Sequence, residues 1–172
     1  MAEGFDGKAL IEVLNGYLKD GSSVLELGMG PGKDLDLLSE KYRATGSDLS
    51  NVFIERYRKE HPNADLLILD AVTIDTESRF DCIYSNKVLI HLSREELKRS
   101  FERQIEVLNP GGLLFHSFWK GDFEEFIEDL RFVYHDEISI MKFIGKGFEV
   151  LEITEYSEMD DGDSFYLVLR KM

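Results

Sequence analysis

The chain has one cysteine, three prolines and one tryptophan in 172 residues. A lone thiol, Cys82, excludes an internal disulfide and is compatible with a reducing, cytoplasmic setting. It lies in the apolar run FDCIYS, where a free cysteine packs as a small hydrophobe. No apolar run approaches the roughly 18 residues that a membrane span needs, so no membrane partner is expected. The opening stretch MAEGFDGKALIEVL has no basic segment followed by an apolar core, and does not read as a secretory signal. Positive charge is scarce: 20 Lys and Arg stand against 34 Asp and Glu, a net charge of −14. Such a field repels phosphate backbones, which argues against a nucleic-acid partner.

What is present reads as one globular domain over 1–172, with 43% hydrophobic and 31% charged residues. Helix-like and strand-like segments alternate, the pattern of an α/β fold with a mainly parallel sheet. Residues 5–19 carry Phe5, Ala9, Leu10, Val13, Leu14 and Tyr17 at helical spacing. A strand is expected at 24–27, a helix at 33–41, and a second strand ending at Asp48. Ser50 or Asn51 is placed to cap the next helix, which Pro62 stops. Strands follow at 64–70 and 79–85, and Ser93 with Glu96 spells a capping box ahead of a long helix. NPGG (109–112) reads as a turn before a fifth strand, and 122–144 as mostly helical. Two last strands, joined by the acidic turn MDDGD, are close enough to require an antiparallel hairpin.

The stretch VLELGMGPGKD (24–34) poses the functional question, because a glycine-rich turn after a strand usually cradles a nucleotide. A P-loop needs G-x-x-x-x-G-K-[ST]. Here Leu27 holds the first glycine's place and Asp34 that of the hydroxyl residue. A dinucleotide fingerprint needs G-x-G-x-x-G. Gly28 and Gly30 fit, and Asp48 lies 20 residues beyond Gly28, but Lys33 stands where the third glycine packs helix against strand.

The remaining pattern is Glu26, Gly28, Gly30 and Gly32, E-x-G-x-G-x-G, and here the sequence resembles the class I S-adenosylmethionine-dependent methyltransferases of small-molecule type. TGSDLS, LDAVTID, FDCIYSNKVLIHLS and VLNPGGLLFHSFW extend the likeness from about residue 22 to the end, in the family's order. The resemblance implies a Rossmann-like seven-stranded, mainly parallel sheet with a C-terminal antiparallel hairpin and helices on both faces. It implies S-adenosyl-L-methionine as cofactor, held by Glu26, Gly28, Met29, Gly30 and Gly32, by Asp48 and Leu49 at the ribose, by Asp70 and Ala71 at the adenine, and by Ser85 and Asn86. It also implies that the N-terminal helix (1–20) and the segment after the fifth strand cover the acceptor, with Tyr17 as a pocket candidate. Lys87 departs from the small or apolar residue usual in the family and reads either as surface or as a contact for an anionic substrate group. His91 and Trp119 are the other pocket candidates read from the residues.

The chemistry agrees with that likeness. The cofactor has no phosphate, and its reacting end carries a sulfonium, an ammonium and one carboxylate. Glycines admit the backbone to this end without a Cβ clash, and an acidic pocket suits its charge. Taken from the residues alone, Asp48 also suits a helix cap, Asp70 a turn, Glu26 a solvated strand end, and Asn86 turn chemistry. His91 and His116 are the imidazoles placed to act as a base, although a helix start and rim packing account for them as well. YSNK differs from the [DN]-P-P-[FY] of exocyclic-amine enzymes, and HSFWKGD offers only Asp122, so no metal is expected. The expected function is methyl transfer to a small-molecule acceptor by a monomer or homodimer. A non-catalytic S-adenosylmethionine-binding module and an NAD-dependent oxidoreductase are the alternatives.

Overall fold

The computed structural model describes residues 7–172; Phe5, which opens the expected first helix, lies outside them. A seven-stranded sheet has the order β3-β2-β1-β4-β5-β9-β8. Its strands are β1 (Ser23–Glu26), β2 (Arg43–Asp48), β3 (Asp65–Ile68), β4 (Phe80–Asn86), β5 (Leu108–Trp119), β8 (Phe148–Tyr156) and β9 (Ser164–Lys171). The first five are parallel, and β9 joins antiparallel to both β5 and β8. This is the fold expected from the sequence.

Strand alternation divides the interior into two layers. Val24, Cys82, Tyr84 and Phe115 face α1 (Lys8–Asn15), which buries Leu10, Ile11 and Leu14. Leu25, Ile83, Leu114 and Leu167 face the opposite layer, with α4 (Arg94–Val107) and α5 (Glu137–Ile144). The two remaining helices, α2 (Lys33–Leu38) and α3 (Asn51–Glu60), flank β2. The Ser93–Glu96 capping box is complete in both directions at the start of α4. Ser50 takes the N-cap position of α3, yet its side chain makes no capping bond. The expected turn at 109–112 is instead an irregularity within β5, where the register with β4 shifts between Phe80 and Cys82.

A longer stretch also departs from expectation. Residues 122–144 are not mostly helical: β6 (Glu124–Ile127) and β7 (Leu130–Val133) form a separate hairpin, and only α5 is a helix. Glu128 and Asp129 both take positive φ, 50° and 68°, as a two-residue hairpin turn demands. Phe123, Phe126, Ile127 and Leu130 have helical spacing but are all exposed, so that spacing has no core to face.

His135, just past the hairpin, is fully buried, and among the described residues neither ring nitrogen has a partner. Its ring meets Phe118 and Phe143 edge-on. Burial, then the charge of Arg94, lowers its pKa to about 4, against opposing pulls from Asp136 and Asp122. Because the folded pKa lies below the unfolded one, stability is full above about pH 6.5 and is lost as the pH falls toward 4. His135→Phe is expected to lose about 2 kcal/mol less stability than the parent between pH 7.5 and 5. Urea titrations at the two pH values check this, and parallel losses in both proteins would refute it.

Candidate functional site

The site lies at the carboxyl ends of the parallel strands, where open α/β sheets bind ligands. The turn after β1 reverses at Gly28 (φ 64°), Gly30 (φ 52°) and Gly32 (φ 94°). A Cβ on Gly28 would lie 2.6 Å from both γ-methyls of Val88, so that glycine admits the chain beyond β4 to close approach. A Cβ on Gly30 would meet none of the described residues within 4 Å. Met29 lies within the turn. Its side chain packs with Leu35, Ile54 and Tyr57, its N–H donates to Ser47 O (2.8 Å), and its carbonyl accepts from Gly32 N–H (3.0 Å).

Glu26 ends β1 and is 3% exposed, so it is not a solvated strand end. Among the described residues its Oε1 has no hydrogen-bond partner. Burial, then the charges of Asp34, Asp48 and Asp36, holds its carboxyl well above the ordinary carboxylate range. A buried acid with an unpartnered oxygen thus lies beside the glycine turn.

Asp48 ends β2 beside that turn. Its Oδ2 accepts from Gly30 N–H (2.9 Å) and its Oδ1 from Ser50 N–H (2.8 Å). Both bonds come from the backbone, leaving each oxygen further lone-pair capacity. Leu49, next in the chain, is 68% exposed. Asp70 follows β3, and its Oδ1 accepts from Val72 N–H (2.7 Å). The Ala71 carbonyl accepts from the Ser100 hydroxyl (2.6 Å).

Ser85 and Asn86 close β4 on opposite faces. Ser85 is fully buried against His116 (2.6 Å). Asn86 accepts from the Ser117 hydroxyl (2.6 Å) and donates to Asp34 (3.2 Å). Asp34 also accepts from Gly7 N–H (2.7 Å) and Tyr84 OH (2.8 Å), so it ties the start of α1 to the glycine turn and β4. In the sequence Asp34 only counted against a P-loop. Its bonds span 27 to 52 residues, which no local pattern reveals.

The acceptor-side candidates separate. Tyr17 donates its hydroxyl to Glu152 (2.5 Å) on β8, at the edge of the sheet four strands from β1; this hydroxyl is not held at the glycine turn. Lys87, with φ 58°, is buried. Its ammonium donates to Glu158 (2.7 Å), Ser164 (3.0 Å) and Tyr156 OH (3.1 Å), and lies 3.7 Å from the centre of the Trp119 ring. That charge is spent within the protein rather than on an anionic substrate. His116 is fully buried, with both nitrogens engaged, and burial lowers its pKa to about 3. It is a neutral interior group, not a base facing solvent. His91 is half-buried and pairs Nδ1 with the Arg131 carbonyl (2.9 Å). A carbonyl only accepts, so the proton sits on Nδ1 and Nε2 is the basic nitrogen.

A parallel sheet of this order, closed by an antiparallel hairpin and carrying a glycine turn with acids at three strand ends, defines a methyltransferase-type α/β domain. The chain belongs to the class I S-adenosylmethionine-dependent methyltransferase family: a profile described as "Methyltransferase domain" matches residues 24–112, more than half of its length. Phosphoethanolamine N-methyltransferase of Plasmodium falciparum is 27% identical over 129 residues, covering 67% of this chain and 48% of that protein. A tRNA (carboxymethyluridine(34)-5-O)-methyltransferase of Arabidopsis thaliana is 32% identical over 110 residues, covering 63% and 26%. This chain thus spans less than half the length of either relative. A crystal structure of an S-adenosylmethionine-dependent methyltransferase from Methanosarcina mazei superposes with a TM-score of 0.80 at 17% identity, over 93% of this chain and 97% of that one. Among the described residues, no helix is long and apolar enough to cross a membrane.

Proposed function

We propose that this chain works as a single domain that binds S-adenosylmethionine and transfers its methyl group to a small-molecule acceptor. The observation that carries this reading is the open oxygen of buried Glu26, which fits the cofactor's ammonium. Asp48 supports it as the ribose acid, held in place by Gly30 and Ser50, with exposed Leu49 beside it. Asp70 and Ala71 are assigned to the adenine, and Ser85 with Asn86 to the aminoacyl side.

When bound, the cofactor supplies an electrophilic methyl on a good leaving group, so the protein's task is to position the acceptor for in-line attack. His91 Nε2 is assigned to take a proton from an acceptor that loses one. The cations near it are already paired. Arg131 contacts Glu96 (3.3 Å) and Glu124 (3.2 Å), and Arg94 contacts Glu124 (3.1 Å). This favours a neutral or cationic acceptor, such as an amine, over a phosphorylated one. The net charge of −14 likewise favours a small molecule over RNA. A single cysteine, fully buried, fits a cytoplasmic setting.

Calorimetry with S-adenosylhomocysteine and with NAD tests the cofactor. Tight binding of the first alone is expected, and the reverse result would overturn the reading. Transfer of labelled methyl groups across a panel of amines, alcohols and thiols then separates an enzyme from a binding module. Asp48→Ala is expected to weaken S-adenosylhomocysteine binding by about 1.5–3 kcal/mol, or roughly 10- to 150-fold. Unchanged affinity would reduce Asp48 to a turn residue.

A further inference from the structure

Four fully buried polar side chains lie in the layer between the sheet and α4: Ser85 on β4, His116 on β5, and Ser100 and Gln104 on α4. They form one continuous chain of hydrogen bonds. Ser85 Oγ lies 2.6 Å from His116 Nδ1, and His116 Nε2 lies 2.7 Å from Gln104 Oε1. Gln104 Nε2 donates to Ser100 Oγ (3.0 Å), and Ser100 Oγ donates to the Ala71 carbonyl (2.6 Å).

The chain has a single direction, fixed from its far end. The Ala71 carbonyl only accepts, so the Ser100 proton points at it. Ser100 Oγ is then the acceptor for the Gln104 amide N–H. Gln104 therefore presents its carbonyl oxygen to His116, whose Nε2 must carry the proton. His116 Nδ1 is left to accept from Ser85. Each member has one role, and the imidazole one tautomer.

The two ends of this chain lie in different parts of the site. Ala71 follows β3, next to Asp70, and Ser85 is the last residue but one of β4. Ser100 and Gln104 are one helical turn apart on α4, whose start is fixed by a complete capping box. An apolar layer would pack α4 equally well without aligning two strand-end loops, because hydrophobic contact is not directional.

We propose that this chain is a brace that fixes the Asp70–Val72 segment relative to the end of β4, making His116 and Gln104 positioning residues for the cofactor. The proposal rests on the assignment of adenine to Asp70–Ala71 and of the aminoacyl end to Ser85. Adenosine, which fills only the Ala71 end, separates the two ideas.

The experiment is an NMR titration of the full chain with adenosine and with S-adenosylhomocysteine. Adenosine is expected to shift the amides of Asp70–Val72 and, through the brace, the His116 Nε2–H and the Ser85 amide. In Gln104→Leu the shifts at 70–72 persist, those at Ser85 and His116 vanish, and the dissociation constant for S-adenosylhomocysteine rises about tenfold. Ser100→Ala cuts the same chain with the loss of one hydroxyl, and serves if the leucine variant does not fold. Lower thermal stability of a folded variant that keeps parental affinity and parental shifts would mean packing alone, and would overturn the brace. So would shifts at 70–72 in the parent that leave Ser85 and His116 unmoved. If adenosine moves nothing at 70–72, the adenine assignment fails, and the brace with it.

Discussion

Glu26→Gln is expected to raise the stability of the unliganded protein while weakening S-adenosylhomocysteine by about 2–5 kcal/mol, the range for removing one partner of a buried charge pair. The stability gain follows from linkage. The folded pKa of Glu26 lies well above its ordinary value, with burial the largest cause and neighbouring acids the rest. A raised carboxyl contributes stability that is full below its unfolded pKa and is lost as the pH rises through the folded value. Glutamine keeps the shape and removes that loss, so the gap in melting temperature should widen as the pH rises from 5 to 9. Saturating S-adenosylhomocysteine should reverse the order, because a tighter ligand stabilises the parent more. The parent's affinity should also climb with pH as Glu26 loses its proton, and the variant's should not. Equal affinity of both proteins would remove Glu26 from the ammonium site. Equal stability at every pH would show that its burial carries no cost.

Lys87→Met is expected to destabilise the fold by about 3–5 kcal/mol, because it strands a buried partner. Lys87 and Glu158 have side chains only 5% and 13% exposed. Burial outweighs the partners and leaves the ammonium below the usual lysine range, so the pair has little net advantage over apolar packing. Its loss is one-sided, however: methionine leaves Glu158 in the same place without a cation. Lys87→Met combined with Glu158→Leu should therefore recover most of the loss. Lys87→Gly should lose about 1 kcal/mol less than methionine, since it relieves the left-handed backbone at φ 58°. Urea midpoints of the four proteins decide the matter. A methionine variant as stable as the parent would show that the ammonium contributes nothing. A double variant no better than the methionine variant would deny the coupling.

Much of the fold was legible in the sequence where the signal is local. Ser93 and Glu96 form their capping box from adjacent backbone atoms. Gly28 and Gly30 mark positive φ, which side chains of most types resist. Asp48 sits at a strand end and Asp70 two residues past one, at positions that spacing alone locates. Local signal misled at 122–144. There, apolar residues at helical intervals belong to an exposed hairpin, and the Glu128–Asp129 turn lacks the glycine or asparagine that usually announces one.

The histidines and Lys87 show the other limit. His91 and His116 look alike as sequence candidates, yet one is half-buried at the Arg131 carbonyl and the other is sealed among Ser85 and Gln104. Ser100 and Gln104 share the face of α4 that buries Leu97 and Phe101, and polar residues on an apolar stripe were the available sign. Lys87 reads as a pocket cation until β8 and β9 bring Tyr156, Glu158 and Ser164 to it from about 70 residues away. By itself the sequence determined the class of fold, the glycine turn and the acids that line it, because backbone conformation and strand ends are written in neighbouring residues. Only the tertiary structure decided which charges are spent, which imidazole is sealed in the core and which carboxylate is left without a partner among the described residues. Those depend on burial and on partners brought together by the sheet, and both are properties of the packed chain.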